Sequence, residues 1–222
     1  RHSLRLFRRS PGFTLAAVCA IWLSGGSALA QSKAKAQNVP EIPYDSVPNF
    51  FKLPPNMYFG EGIGIATNSK GHVFVYTRSG ETRLFEFDQN GVFVREIGQG
   101  LYGLVFAHAV RVDKDDNIWV VDEGSNMVIK FNPQGRVVLT IGRRPEAVDE
   151  LTNFSGQGSA PQSNKPYSFN RPTDVGWDAQ GNIFVTDGYG DNRVVKYDKN
   201  GRFIKSAGTA GNGPGQLRLP HT

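Results

Sequence analysis

The chain has 222 residues, of which 39% are hydrophobic and 20% are charged, and its formal net charge is +5. Four of the 25 basic residues and none of the 20 acidic ones lie in the first thirty positions, so the rest of the chain carries a net charge of only +1. This even balance argues against a nucleic-acid-binding or anionic membrane-binding protein, and the length suffices to bury a sizeable core.

The first thirty residues are predicted to be a secretory signal peptide. Four arginines precede an apolar stretch at 13–23, and a small-residue A-x-A cleavage site follows at 28–30. An apolar run of 11 residues is too short to cross a bilayer, which needs about 20, so a membrane anchor is the weaker interpretation. The protein is therefore expected to be secreted or periplasmic, with Arg8 and Arg9 leaving the twin-arginine route open. The single cysteine, Cys19, would leave with the signal.

Residues 31–61 contain several prolines and no repeat, and we interpret them as a lead-in segment or as part of a blade that closes a ring. A repeat of about 44 residues follows, because Gly91, Gly135 and Gly201 mark the same turn at spacings of 44 and 66 residues. The longer spacing contains an insertion at 143–168, rich in Gly, Ser, Pro and Gln, which is predicted to be a long loop.

Each repeat is predicted to form four strands. Examples are the short apolar segment 109–112, the alternating segment 183–186, and the segments 194–197 and 202–206. Alternation of apolar residues between Gly and Asn turns is typical of strands and hairpins, and four strands in 40–50 residues make one propeller blade. A β-sandwich would not explain the matched turns. The predicted all-β propeller has blades at about 62–100, 105–142 and 169–209 and the start of another at 214–222.

The repeat register places two histidines at one structural position. His108 aligns with Ile63 and Thr173 of the first and third repeats, and His221 holds this position in the fourth. The start of the first strand lines the central channel of a propeller. Two such imidazoles, with a third from another blade, would make the three-ligand layout of a catalytic zinc site. The alternative is two histidines that face a watery channel.

Three further side chains are expected beside these histidines. Arg78, Glu123 and Tyr189 are predicted to lie in the loop between the second and third strands, at the same end of the blade as the start of the first. An arginine can clamp a carboxylate through two parallel hydrogen bonds, and a tyrosine near a metal can have a lowered pKa and act as a general base. Taken singly, such a loop tyrosine usually packs and such an arginine is usually solvated.

Residues 187–193, followed by an apolar strand and the segment 199–203, resemble an NHL repeat. From about Ile63 onwards the chain resembles the peptidyl-α-hydroxyglycine α-amidating lyases, as a bacterial-type member truncated at its C-terminus. The segments that carry this resemblance are 172–175, 185–189, 214–216 and 219–221.

The resemblance implies a six-bladed propeller, of which about three and a fraction are present, that cleaves peptidyl-α-hydroxyglycine to a peptide amide and glyoxylate. It implies zinc held by three histidines, the third outside this chain, and calcium held partly by backbone carbonyls. The residues it assigns are His108 and His221 for zinc, Ile65 and Val110 for calcium, Tyr189 for catalysis and Arg78 for substrate binding. The chain departs from the animal enzymes at Gly190 and Asp191, where those enzymes carry a disulfide cysteine, and shows no partner hydroxylase domain.

Two other functions stay open at this stage. One is a non-catalytic NHL module that binds peptides, proteins or glycans, since a fold does not decide a function. The other is a propeller hydrolase such as a lactonase, which would need carboxylate metal ligands; Glu61 and Asp174 are the candidates. The expected partner is a small peptide-like substrate or a protein ligand, with no nucleic acid and no membrane after signal cleavage, and the full-length protein is expected to be a monomer.

Overall fold

The computed structural model describes residues 42–144 and 165–221, and these residues form strands and turns without a helix. Accordingly, none of the described residues belongs to a helix that could cross a membrane. The first sheet contains β1 (Glu61–Thr67), β2 (Val73–Arg78), β3 (Arg83–Phe87) and β4 (Phe93–Ile97). The second contains β5 (Ala107–Val112), β6 (Ile118–Asp122), β7 (Met127–Phe131) and β8 (Val137–Gly142), and the third contains β9 (Asp174–Trp177), β10 (Ile183–Asp187), β11 (Arg193–Tyr197) and β12 (Phe203–Ala207).

Each sheet is antiparallel, and its strands are paired in the order in which they follow along the chain. The first strands of neighbouring sheets adjoin one another, β1 beside β5 and β5 beside β9. Gly64 allows this close approach, because a Cβ at that position would lie 3.0 Å from the backbone nitrogen of Val110. Successive four-stranded sheets with their first strands together are propeller blades. The predicted all-β propeller fold is thus confirmed, whereas the count of six blades stays a prediction.

In every described blade, the turn between the first two strands and the turn between the last two strands have the same structure. An Asn or Asp opens each turn, and its side chain accepts hydrogen bonds from the backbone nitrogens two and four residues later. The opening residues are Asn68, Asp88, Asp113, Asn132, Asp178 and Asp198. The fourth residue of each turn has a positive φ, and it is glycine everywhere except at Asp116. This requirement explains why the glycines recur at the repeat period.

The core lies between the blades, and β6 shows how one strand serves two interfaces. Ile118 and Val120 point to the first sheet, whereas Trp119 and Val121 point to the third, and all four side chains are buried. Burial of such a side chain contributes about 1.5–3 kcal/mol. A blade that is covered on both faces needs apolar residues at consecutive positions of its second strand, which is why this part of the repeat is the most hydrophobic.

The segment that precedes β1 packs on the free face of the first sheet. Phe51 and Phe59 contact Phe87, with ring centroids 4.7 and 5.5 Å away, and Lys52 forms a parallel bridge with Val92. The described residues from Ser46 onwards form one compact unit. The part of the predicted lead-in from Phe51 to Phe59 therefore covers the first blade. The predicted signal peptide at 1–30 and most of the insertion at 143–168 lie outside the described residues.

Candidate functional site

The predicted metal-binding position lies at a β-bulge. The pairing of β5 with β6 shifts between Ala107 and Ala109, so His108 is the bulged residue. An equivalent shift between Gly62 and Gly64 places Ile63 at the bulge of the first blade. Bulges re-aim side chains and are frequent next to active sites. His108 and Ile63 thus occupy the same structural position, as the repeat register predicts.

His221 reaches the site because the chain after β12 crosses the entry of the third blade. The hydroxyl of Thr173 donates to the carbonyl oxygen of Pro220 at 2.8 Å, and the hydroxyl of Thr186 donates to that of His221 at 3.2 Å. A Cβ on Gly188 would lie 1.9 Å from the Pro220 oxygen, so only glycine permits this crossing. The imidazole of His221 consequently lies with its centroid 5.4 Å from that of His108.

Tyr189 completes a triangle of rings with the two histidines. Its ring centroid is 5.6 Å from that of His108 and 4.8 Å from that of His221, and its hydroxyl lies 3.4 Å from Nε2 of His108. The loop between β10 and β11 that carries Tyr189 has five residues, one more than the loop between β6 and β7. The structure therefore brings together three of the side chains that the sequence predicts for the site.

In both histidines Nδ1 is bound to a backbone carbonyl, and Nε2 is the nitrogen left for a ligand. Nδ1 of His108 lies 2.6 Å from the carbonyl oxygen of Thr173, and Nδ1 of His221 lies 3.0 Å from that of Leu219. Because a carbonyl oxygen only accepts, each ring must donate from Nδ1, and a neutral ring then carries its lone pair at Nε2. A backbone partner of this kind is the usual support of a metal-binding histidine. Burial also lowers the pKa of His108, which favours the neutral, ligating form.

His108, His221 and Tyr189 are side chains of the kinds found around zinc, so they fit the predicted metal. Neutral imidazole nitrogens are good zinc ligands, and a tyrosine hydroxyl beside them leaves room for an open coordination position. In the ranges 42–144 and 165–221 there is no group of three or more His, Cys, Asp or Glu residues that could hold a metal ion. His108 and His221 are thus two candidate ligands, and the zinc site stays a prediction.

Arg78 differs from its predicted placement, because it is the last residue of β2 and not part of the following loop. Its Nε and Nη2 donate to the two carboxylate oxygens of Glu61 at 3.0 and 3.2 Å, and Nη1 donates to the carbonyl oxygen of Ala107 at 3.4 Å. These hydrogen bonds hold the pKa of Glu61 below its ordinary value. The guanidinium also lies over the ring of Phe106, with Cζ 4.3 Å from the centroid.

The two carboxylates considered for a hydrolase are each bound to an arginine. Glu61 pairs with Arg78, and Asp174 accepts from Nε of Arg111 at 3.0 Å. Either carboxylate would have to break its ion pair to ligate a metal. The structure therefore offers less for a carboxylate-ligated metal than for the two histidines.

Ile65 and Val110, the predicted calcium ligands, occupy equivalent positions in β1 and β5. Ile65 pairs with Val75 and Val110 pairs with Val120, in each case two residues after the bulge. Val110 lines a pocket of about 200 Å³. The other residues around this pocket are Ile63, Gly64, His108, Ala109, Arg111, Thr173, Asp174 and His221. The calcium site stays a prediction.

Sequence reasoning missed Arg171, whose guanidinium lies over the ring of Tyr189 with Cζ 4.5 Å from the centroid. Its Nε donates to Glu123 at 2.9 Å, and its backbone nitrogen donates to the side chain of Asn126 at 2.7 Å. At the equivalent place in the next repeat, the backbone nitrogen of Leu219 donates to the side chain of Asn192 at 2.9 Å. A signal was available, because a charged residue stands at 171 where the next repeat has leucine before its proline.

A buried charged cluster anchors the loop that carries Tyr189. Arg193 donates from Nε and Nη2 to Asp187 at 3.1 and 3.0 Å, and its Nη2 lies 3.3 Å from Asp191. All three side chains are at most 4% exposed. Burial, together with the charge of Asp191, raises the pKa of Asp187 to about 6. The loop is therefore fixed at both ends by one guanidinium.

The chain is similar to proteins of the predicted family, although no model of a known protein family matches it. It is 26% identical over 195 residues to a Caenorhabditis elegans protein named "probable peptidyl-α-hydroxyglycine α-amidating lyase", a match that covers 76% of this chain and 50% of that protein. It is 26% identical over 177 residues to the mouse (Mus musculus) NHL repeat-containing protein 3, covering 74% of this chain and 46% of that protein. The predicted resemblance to NHL propellers and amidating lyases is confirmed, and the chain spans about half the length of these relatives.

A solved structure supports the fold alone. A protein of unknown function from Bacteroides thetaiotaomicron superposes with a TM-score of 0.53 at 14% sequence identity, over 73% of this chain and 41% of that one.

Proposed function

We propose that this chain is part of a secreted, zinc-dependent lyase that cleaves peptidyl-α-hydroxyglycine to a peptide amide and glyoxylate. The observation that carries the proposal is the convergence of His108, His221 and Tyr189, with Nδ1 of both histidines bound to a backbone carbonyl. The names of the similar proteins support the same reaction class.

Zinc, held through Nε2 of His108 and His221 and one further ligand, would act as a Lewis acid on the substrate hydroxyl. The oxygen of Tyr189 lies 3.4 Å from Nε2 of His108, and in its phenolate form it would take up the hydroxyl proton. Loss of that proton lets the carbon–oxygen bond become a carbonyl while the carbon–nitrogen bond breaks. The electron pair and a proton go to the nitrogen, which leaves as the peptide amide, and the rest of the substrate leaves as glyoxylate.

Two further predicted roles belong to this proposal. Arg78 orients the substrate from the neighbouring blade, with Glu61 holding the guanidinium in place. The backbone carbonyls of Ile65 and Val110 would hold calcium, since oxygen atoms are the ligands that this cation prefers.

The test is glyoxylate release from an α-hydroxyglycine peptide by the full-length, zinc-loaded protein. Tyr189→Phe should lower kcat by about 10²–10⁴-fold, which is the usual contribution of an acid–base group, without changing the zinc content. Tyr102→Phe is the matched control, because Tyr102 is exposed and its ring stacks with Arg144, away from the histidines. If the wild-type protein releases no glyoxylate under these conditions, the proposal is wrong and a non-catalytic binding module becomes the better assignment.

A further inference from the structure

Arg171 and Arg78 differ in how many of their hydrogen-bond donors are in use. Arg78 donates hydrogen bonds from Nε, Nη1 and Nη2 to Glu61 and Ala107. Arg171 donates a hydrogen bond from Nε to Glu123. No described residue accepts a hydrogen bond from its two Nη groups. The side chain of Arg171 is also 54% exposed, against 19% for Arg78. Arg171 is therefore the arginine with donors to offer to an incoming anion.

Three contacts hold Arg171 in place, one at its backbone and two at its guanidinium. Its backbone nitrogen is bound to Asn126, its Nε is bound to Glu123, and its plane lies over Tyr189. Asn126 and Glu123 belong to one short loop of the preceding blade. A cation that is already ordered loses less entropy when it binds a ligand, and this preorganisation favours affinity.

The position of Arg171 relates it to the reacting atoms. Cζ lies 4.5 Å from the centre of the ring whose hydroxyl approaches His108. A planar guanidinium with two adjacent N–H groups matches the two oxygens of a carboxylate. In the proposed substrate, the carboxylate is attached to the carbon that bears the reacting hydroxyl. A substrate whose hydroxyl contacts Tyr189 therefore has its carboxylate close to Arg171.

We infer that Arg171 is the residue that binds the substrate carboxylate and so selects acids over their neutral analogues, while Arg78 stays paired with Glu61 and orients another part of the substrate. The identity of the substrate in this inference rests on the proposed lyase function. Glu123 balances the charge of Arg171 in the free protein, and its hydrogen bond to Nε leaves the Nη edge of the guanidinium for the ligand.

The test is a binding measurement on the full-length, zinc-loaded protein with an unreactive acid, N-benzoylglycine, and its neutral amide. A hydrogen bond to a charged group contributes about 1.5–3 kcal/mol, so the wild-type protein should prefer the acid by about 10- to 100-fold. Arg171→Gln should abolish this preference. Arg171→Lys, which keeps the charge without the planar fork, should retain part of it. Arg136→Gln is the control for net charge, because Arg136 is exposed in the turn between β7 and β8. A preference that survives Arg171→Gln but is lost in Arg78→Gln would overturn the inference.

Kinetics separate carboxylate binding from support of Tyr189. With an α-hydroxyglycine peptide, Arg171→Gln should raise KM about 10- to 100-fold, with a smaller change in kcat. A fall in kcat at unchanged KM would mean that Arg171 only positions the tyrosine, and would refute carboxylate binding. If the wild-type protein releases no glyoxylate yet prefers the acid through Arg171, the lyase proposal fails and the anion site stands.

Discussion

His108 donates a 2.6 Å hydrogen bond from Nδ1 to the backbone carbonyl of Thr173, across the boundary between the second and third blades. Thr173 occupies in its own blade the position that His108 occupies in the second. One blade thus supplies the imidazole and the next fixes its tautomer, which leaves Nε2 as the nitrogen available to a ligand.

This relationship predicts that zinc binding depends on His108. Metal analysis of the full-length protein should find about one zinc per chain, and His108→Ala should lose most of it because one of the ligands is gone. His72→Ala is the matched control, since His72 lies in a turn of the first blade and pairs with Glu86 at 2.8 Å. Equal zinc contents in the wild type and His108→Ala would contradict the site.

Gly188→Ala should damage the site without touching a functional side chain. The added Cβ would lie 1.9 Å from the Pro220 oxygen, so the segment that carries His221 must move. We expect a loss of about 1–3 kcal/mol in unfolding free energy, as for other overpacked positions, together with weaker zinc binding. Gly176→Ala is the control, because no atom lies within 4 Å of the added Cβ there. Denaturant titration and zinc affinity measure the two effects, and a Gly188→Ala protein that matches Gly176→Ala in both would refute this packing argument.

Asp122 should be among the most sensitive positions for stability. Its buried carboxylate accepts hydrogen bonds from the hydroxyl of Tyr76 and from the backbone nitrogens of Val105, Phe106 and Ser125. Asp122→Ala leaves these donors without their acceptor, and we expect a loss of about 3–5 kcal/mol.

Asp115→Ala is the matched control for this prediction, because Asp115 is exposed and Lys114 is the one described residue whose side chain pairs with its carboxylate. It should change stability by less than about 1 kcal/mol. Thermal unfolding monitored by circular dichroism distinguishes the two variants, and similar melting temperatures would show that the four hydrogen bonds of Asp122 contribute little.

The buried carboxylates near Tyr189 predict that stability falls as the pH rises. The pKa of Asp187 is raised to about 6, mainly by burial, whereas an unfolded aspartate titrates near about 4. The native state therefore binds this proton more tightly. The contribution of Asp187 to the unfolding free energy is fully present below about pH 4 and is lost as the pH rises to about 6.

Removal of the neighbouring charge should flatten that part of the pH profile. Asp191→Asn takes away the carboxylate that raises the pKa of Asp187, so its unfolding free energy should change less between about pH 4 and about pH 6.5. Asp178→Asn is the control, since hydrogen bonds from Asn182 and Lys196 lower the pKa of Asp178 to about 2, which keeps it ionised over this range. Parallel profiles for the wild type and Asp191→Asn would contradict the pH argument.

The blades could be predicted from the sequence because two strong local rules coincide at the repeat period. Gly91, Gly135 and Gly201 stand where the turn demands a positive φ, and Asp88, Asn132 and Asp198 stand three residues before them to accept backbone hydrogen bonds. Asp116 breaks the glycine rule, and its carboxylate instead accepts hydrogen bonds from the nitrogen and hydroxyl of Ser69 in the first blade. Local rules do not reveal a contact of this kind.

The site was only partly predictable for the same reason. Repeat register placed His108 and His221 together, because equivalent positions of a propeller converge on its axis. Register says nothing about the contacts of long side chains, so it missed the hydrogen bond from Arg171 to Glu123 across a blade boundary and the pairing of Arg78 with Glu61 within the first blade. Those contacts depend on which long side chains meet in the folded chain, and the repeat pattern does not encode this.

The hydrogen bonds that Asn126 and Asn192 accept from the following repeat also determine how this protein should be divided for engineering. A chimera joined at the apparent repeat boundary, between β8 and β9, would pack a foreign Arg171 against a β6–β7 loop that matches a different residue. A junction placed before β6 would transplant the loop with Glu123 and Asn126 together with Arg171. The unit of exchange that keeps Arg171 with its partners is therefore the last three strands of one blade with the first strand of the next, and libraries of exchanged blades should be cut in that register.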